Sequence, residues 1–188
     1  MRVLLCFLVL SSFIYAIQED LIEKSMKVYI KESINIAKKK DLDLSKKGQK
    51  IFEILDPVFD YSVMSRISLG KHWKKLTQNE QYEFAKVFEK TLKKSYLSKL
   101  ELYDNQNIEI KDARKIKKNR IWLYSYIKAE KEDIEVVYKF YPNKKGDWLI
   151  YDVDIEGVSI LKSYRAQFDD FLKGSDIDKL KSKLINNL

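Results

Sequence analysis

Along the first hundred residues the apolar positions recur three and four apart, and past Asn107 they recur every second residue. The first pattern places one face of an amphipathic helix toward a core, and the second places one face of a strand there. Leu21, Met26, Tyr29, Ile30, Ile34 and Ala37 predict an opening helix. A second helix is predicted over Lys46 to Leu55, with Ser45 as its cap and Pro57 just beyond its end. A third is expected over Tyr61 to Leu69, capped by Asp60 and stopped by Gly70. Thr77 and Glu80 have the spacing of a capping box, in which the side chains of the cap and third residues each satisfy the other's backbone N–H. The long helix they open carries Phe84, Phe88, Leu92, Tyr96 and Leu100 on one stripe, with Tyr103 near its end.

In the second half, Ile108 and Ile110 alternate with Glu109 and Lys111, and residues 121–128, 134–141 and 148–155 are rich in aromatic and β-branched side chains. The turns between them are short and polar, which allows only antiparallel neighbours. Two helices close the chain. One carries Leu161, Tyr164, Phe168 and Phe171; the other begins near Ser175 and carries Ile177, Leu180 and Leu184. The fold class expected is α+β: a four-stranded antiparallel meander wrapped by about six helices. In the strand from 121, Trp122, Tyr124 and Tyr126 alternate with Ile121, Leu123 and Ile127, so both faces are apolar. A sheet with one wet face alternates more cleanly. Either both faces are packed, or one face lines a cavity.

The length of 188 residues suits one domain, and 45% hydrophobic with 34% charged residues marks a globular chain. A net charge of +8 points to anionic partners or to a solvated lysine surface; the pairs and runs Lys38 to Lys40, Lys74 with Lys75, and Lys117 with Lys118 read as scattered. Met1 and Arg2 precede an apolar stretch, residues 3–14, which is shorter than the roughly 20 residues a membrane span takes. The pattern reads as a cleavable signal peptide over residues 1–16, cut after Ala16. Residues 17–188 would then form a single domain. Cys6 lies inside the leader, so the remaining chain would have no cysteine for a disulfide, a thiol nucleophile or a metal site.

Little in the chain supports catalysis. His72 is the one histidine and cannot build the usual zinc constellation without cysteine; a structural or surface role is expected for it. There is no nucleophile elbow, P-loop or dinucleotide-binding glycine pattern. Asp152 and Asp154 share a strand face and read as a solvated pair more readily than as an acid–base couple. The glycine–aromatic signature of RNA-binding sheets is missing, and an exported protein does not meet cellular nucleic acid. No catalytic residues, cofactor or metal are expected, nor is a nucleic-acid partner.

Three ordered segments then carry a family likeness. They are Phe59-Asp60-Tyr61 through Met64-Ser65-Arg66 to Leu69-Gly70-Lys71-His72-Trp73; Leu76 to Gln81 with Phe84, Phe88, Leu92 and Tyr96; and Trp148 to Ser159 followed by Tyr164 to Phe168. In order and spacing they resemble the MlaC, or toluene-tolerance, family of periplasmic phospholipid-binding proteins. The resemblance implies a deep apolar cavity between sheet and helices that takes acyl chains and leaves the head group near solvent. It implies a periplasmic phospholipid carrier, not an enzyme, that shuttles lipid between an outer-membrane MlaA-type lipoprotein complex and an inner-membrane ABC transporter with an MlaD-type MCE-domain subunit. That traffic would maintain outer-membrane lipid asymmetry, and the carrier is expected to be a monomer. The runner-up is a non-enzymatic envelope adaptor with a packed core and no cargo.

Under this reading the cavity wall comprises Phe59, Met64, Ile67, Trp73, Phe88, Leu92, Tyr96, Tyr124, Tyr126, Tyr138, Phe140, Tyr151, Val153, Ile155, Val158, Leu161, Tyr164 and Phe168. Arg66, Lys71 and Arg165 are the basic residues within the matching segments and are candidates for the phosphate. Gly157 is assigned to the turn that leaves the last strand.

Overall fold

The computed structural model describes residues 17–101 and 105–187; the expected leader with Cys6, the expected cut after Ala16, and Tyr103 lie outside them. The described chain begins with α1 (Ile22–Ala37), whose buried face is Ile22, Met26, Ile30, Ser33 and Ala37. In α2 (Leu44–Leu55) the N-cap is Asp43, which accepts from the Lys46 N–H at 2.8 Å, and not the expected Ser45. The helix starts sooner than its apolar pattern because carboxylate and hydroxyl are equally good caps and Asp43 comes first. Gly48 faces α4 so closely that a Cβ there would stand 2.1 Å from Leu97 Cδ2.

A single turn around Pro57 leads to α3 (Tyr61–Leu69), capped by Asp60 through the Val63 N–H at 2.9 Å. The helix stops at Gly70, whose φ of 57° and ψ of −125° exclude a side chain at low cost. The capping box forms at the head of α4 (Gln78–Glu101): Glu80 accepts from the Thr77 N–H at 2.8 Å, and the Glu80 N–H donates back to Thr77 Oγ1 at 3.3 Å.

The sheet has five strands, not four, in the order β1 (Ile108–Lys117), β2 (Arg120–Ile127), β3 (Ile134–Pro142), β4 (Trp148–Ile155) and β5 (Val158–Ser159), all antiparallel. The two residues of β5 are too few to show a period. Glu156 and Gly157, both at positive φ, reverse the chain so that Ser159 can pair with Asp154. Ser159 also caps α5 (Ile160–Phe171) at the Lys162 N–H, and Asp176 caps α6 (Ile177–Asn186) at the Lys179 N–H.

Register decides which side chains face inward. Ile121, Leu123 and Ser125 of β2 lie opposite Phe140, Tyr138 and Val136 of β3, and this face packs against α1. It forms one core with Ile22, Met26, Ile30, Val58, Trp148, Ile150 and Val153. A second core is helical and gathers Met64, Leu69, Phe84, Phe88, Leu161, Phe168, Leu180 and Leu184 from α3, α4, α5 and α6. Phe59 touches both, and its backbone bridges Ile150 of β4.

Candidate functional site

The seam between the two cores is where the expected cavity would lie. Phe84 and Phe88 of α4 are wholly buried, stacked at 6.1 Å and met edge-on by Phe168 and Tyr164. One turn on, at Leu92, the same stripe of α4 reaches the edge of this core, and two turns on, at Tyr96, it meets α2. Leu92 is half-buried, and Tyr96 keeps 38% of its surface accessible while its ring meets Phe52 of α2 at 5.7 Å. Burial nevertheless raises the Tyr96 hydroxyl above its ordinary pKa. Across from it, Tyr138 of β3 is shifted upward too, by burial first and then by the neighbouring Tyr96, with a Ser125 hydroxyl bond opposing. Tyr96 thus keeps part of its ring accessible while the protein around it desolvates the hydroxyl. Tyr164 shows the same direction from burial, opposed by Ser95.

The structure brings most of the expected wall to this seam or to its two flanks. Met64, Phe88, Leu161 and Phe168 are buried in the helical core, with Phe59, Ile67, Trp73, Leu92 and Tyr164 packed against it. Phe140 and Val153 belong to the sheet core, with Tyr138 and Ile155 alongside. Tyr124, Tyr126, Tyr151 and Val158 require correction. Tyr124 and Tyr126 pair across to Val137 and Glu135 on the sheet face that points away from α1. The β4 bulge turns Tyr151 to that same face, where its ring meets Tyr141 at 5.9 Å. Val158, in β5, is 59% exposed. Both parities of β2 are apolar, so composition gave no sign of which one faced the helices; register supplies it.

That outer face is built from aromatics covered by cations. Arg114 lies over Tyr124 at 4.3 Å, Lys139 over Trp122 at 5.1 Å, and Arg120 over Tyr151 at 5.1 Å. Asp152 and Asp154 are not a solvated pair. Lys139 reaches Asp154 at 2.6 Å and Asp152 at 3.3 Å, and Asp152 also accepts from the Ser159 hydroxyl and the Val153 and Leu161 N–H groups. Burial alone would lower the Lys139 ammonium; the two carboxylates outweigh it and its pKa rises. Four acceptor contacts fix Asp152 as a strut between β4 and α5, which explains its burial.

A second polar knot was not legible in the sequence because its members lie far apart along the chain. Lys93 of α4 bonds Asp56 at 2.6 Å and Glu89 at 2.7 Å, and lies over the rings of Phe52 and Tyr61. Tyr61 donates to Asp56 at 2.9 Å. The knot ties α2, α3 and α4 together beside the seam.

The three basic candidates sit on the surface of the α3–α5 pair. Arg66 is exposed and Arg165 lays its guanidinium on the Gly70 backbone, where a Cβ would be 2.6 Å from Nε. Lys71 approaches Asp169 at 3.8 Å, and His72 bonds the same carboxylate at 3.0 Å, which gives His72 a structural partner. Among the described residues no three His, Cys, Asp or Glu side chains could hold a metal ion, and no helix is long and apolar enough to cross a membrane.

This α+β arrangement, with its five-stranded antiparallel sheet, is the fold of a phospholipid-binding protein from Ralstonia solanacearum solved in complex with a phospholipid. The two share a TM-score of 0.75 at 21% identity, over 87% of this chain and 94% of that one. The chain belongs to the MlaC protein family, whose model matches residues 27–186. It is 29% identical over 129 residues to toluene tolerance protein ttg2D of Pseudomonas putida, covering 67% of this chain and 60% of that protein. It is 24% identical over 120 residues to the intermembrane phospholipid transport system binding protein MlaC of Haemophilus influenzae, covering 62% and 56%. The matched stretches thus span under two thirds of the length of these curated relatives.

Proposed function

We propose that the protein is a periplasmic phospholipid carrier that holds acyl chains in the seam between its two cores and performs no covalent chemistry. The observation that supports this reading is a fold shared with a protein solved in complex with a phospholipid, in which the accessible ring of Tyr96 on α4 lies near Tyr138 of the sheet. Burying one CH₂ is worth about 0.8 kcal/mol, so a 16-carbon chain left in water costs on the order of 12 kcal/mol. Lipid crosses an aqueous gap only if something encloses it, and an apolar wall does so without regard to head group.

Within this reading Phe59, Leu92, Tyr96, Tyr138, Ile155 and Tyr164 contact the chains, since all are members of the expected wall that are not fully buried, Tyr96 being exposed and the others half-buried. Met64, Phe88, Leu161 and Phe168 support them from behind. Arg66 and Arg165, which have no ion pair among the described residues, are available to a phosphate; Lys71 is shared with Asp169. Export by cleavage after Ala16 would place the carrier between an outer-membrane MlaA-type complex and an inner-membrane MlaD-type MCE subunit of an ABC transporter, so that its traffic maintains lipid asymmetry.

Native mass spectrometry of residues 17–188, purified from a bacterial periplasm without detergent, tests the reading. Adducts at phospholipid masses support it and name the cargo. A bare protein mass, with no uptake from added vesicles, overturns it in favour of an adaptor with a packed core.

A further inference from the structure

A meander sends its turns alternately to the two ends of the sheet, and here the ends differ in charge. The β1–β2 and β3–β4 turns share one end, because Lys117 pairs with Arg120, Ile121 with Phe140, and Pro142 with Trp148. Register therefore brings Lys115, Lys117, Lys118 and Arg120 beside Lys144 and Lys145. Arg120 joins the two hairpins, lying over Tyr141 at 5.8 Å and Tyr151 at 5.1 Å. Six cations at this end outnumber three acids: Glu19 bonds Lys115 at 2.5 Å, Asp147 accepts from the Asn143 amide, and Asp20 is exposed. Lys117, Lys118, Lys144 and Lys145 are exposed, and none has an ion pair among the described residues. The opposite end, around the β2–β3 turn and Glu156, carries Glu130, Glu132, Asp133 and Glu135, with Lys128 paired to Asp133 and Glu109 and Lys131 beside them, so acids prevail there. Amid the cations stands Ile116, 42% exposed on a strand edge where lysine is the usual guard.

We propose that this basic end of the sheet docks on an anionic membrane surface, its lysines against lipid phosphates and Ile116 in the interfacial layer. Cations converging on one end, with an apolar residue among them, combine the two attractions that hold a protein on charged lipid. Nucleic acid fits less well. The tyrosines at this end are already covered by Arg120, so no bare ring is left on which a base could stack. Docking goes beyond the carrier reading: it concerns the outer surface, and it can be measured whether or not lipid fills the seam.

The test is cosedimentation of residues 17–188 with phosphatidylcholine vesicles, with and without phosphatidylglycerol, across a salt series. Binding is expected only with the anionic lipid, weakening as salt rises. The variant Lys117→Glu/Lys118→Glu/Lys144→Glu/Lys145→Glu should partition about a hundredfold more weakly or worse, at roughly one lysine's attraction per site. Its control, Lys31→Glu/Lys38→Glu/Lys39→Glu/Lys40→Glu, changes net charge equally on the later turns of α1 and just past its end. That region lies on the order of 20 Å along the helix from Glu19, by its rise per residue. The control should stay much closer to the parent protein. Ile116→Ser should weaken binding severalfold and leave the salt slope unchanged. Thermal unfolding of each variant checks that it is folded. Absence of binding to the anionic vesicles at low salt overturns the proposal, and so do equal losses in both charge variants, which would leave net charge as the cause. Vesicle binding by a protein that carries no lipid would sink the carrier reading and leave docking standing.

Discussion

Lys139 is the only buried cation among the described residues, 8% exposed and held between Asp152 and Asp154. Replacing it by methionine keeps most of its stem and removes its charge, leaving two carboxylates without their cation. Removing one partner from a buried ion pair costs about 3–5 kcal/mol. Asp152 keeps its bonds from Ser159, Val153 and Leu161, and Asp154 lies nearer the surface, so the low end applies and Lys139→Met should cost about 3 kcal/mol. For a chain of this size that corresponds to a fall in Tm of about 6–12 °C. Urea unfolding at neutral pH, with the slope unchanged, measures it. Lys139→Met/Asp154→Asn should recover more than half of the loss, because one stranded charge is gone. A cost below about 1 kcal/mol, or no recovery in the double variant, would refute the view that Lys139 and Asp152 strut β4 against α5.

Three further outcomes are expected. Gly70→Ala should destabilise by about 2–3 kcal/mol, since positive φ is strained for alanine and the new Cβ meets Arg165 Nε at 2.6 Å; chemical denaturation reads this, and a neutral result would mean that the helix end relaxes freely. Tyr96→Asp should leave the circular dichroism spectrum unchanged but abolish copurifying lipid, because its site is accessible rather than packed; a folded variant with undiminished lipid would remove Tyr96 from the wall. Stability should decline in alkali. Burial raises Tyr96, Tyr138 and Tyr164, and the carboxylates raise Lys139, so each group keeps its proton more firmly when folded. Their contribution is complete below the unfolded values of about 10 and is lost as pH rises beyond them. Urea midpoints should hold steady to about pH 9 and fall above about 10; a flat profile there would deny the desolvation.

What could be read from the sequence was what lies close along the chain. Asp60 and the Thr77–Glu80 box cap their helices as their spacing predicts, and the four long strands form where the period changes. Features that depend on distant partners were hidden. Lys93 meets Asp56 across 37 residues, and Lys139 meets Asp152 across a hairpin, so neither carboxylate announced its cation. Tyr124 and Tyr126 read as wall, though they face outward, since each strand parity was apolar and only cross-strand pairing tells inner from outer. The lysines of 117–118 read as scattered for the same reason: the meander brings them beside 144–145, which the chain separates from them.

The division of the interior into a sheet core and a helical core, joined through Phe59, bears on what happens at delivery. Were cargo the central plug of a single core, its release would cost the fold the burial the lipid had supplied, and an unloaded molecule would hover near unfolding. Here each core closes on its own side chains. If the proposed cargo left the seam, Tyr96 and Tyr138 would lose a neighbour, while Phe84, Phe88, Ile22 and Met26 are already covered by protein. On the carrier reading proposed above, a vessel built so would survive its return journey, and one polypeptide could be filled and emptied many times.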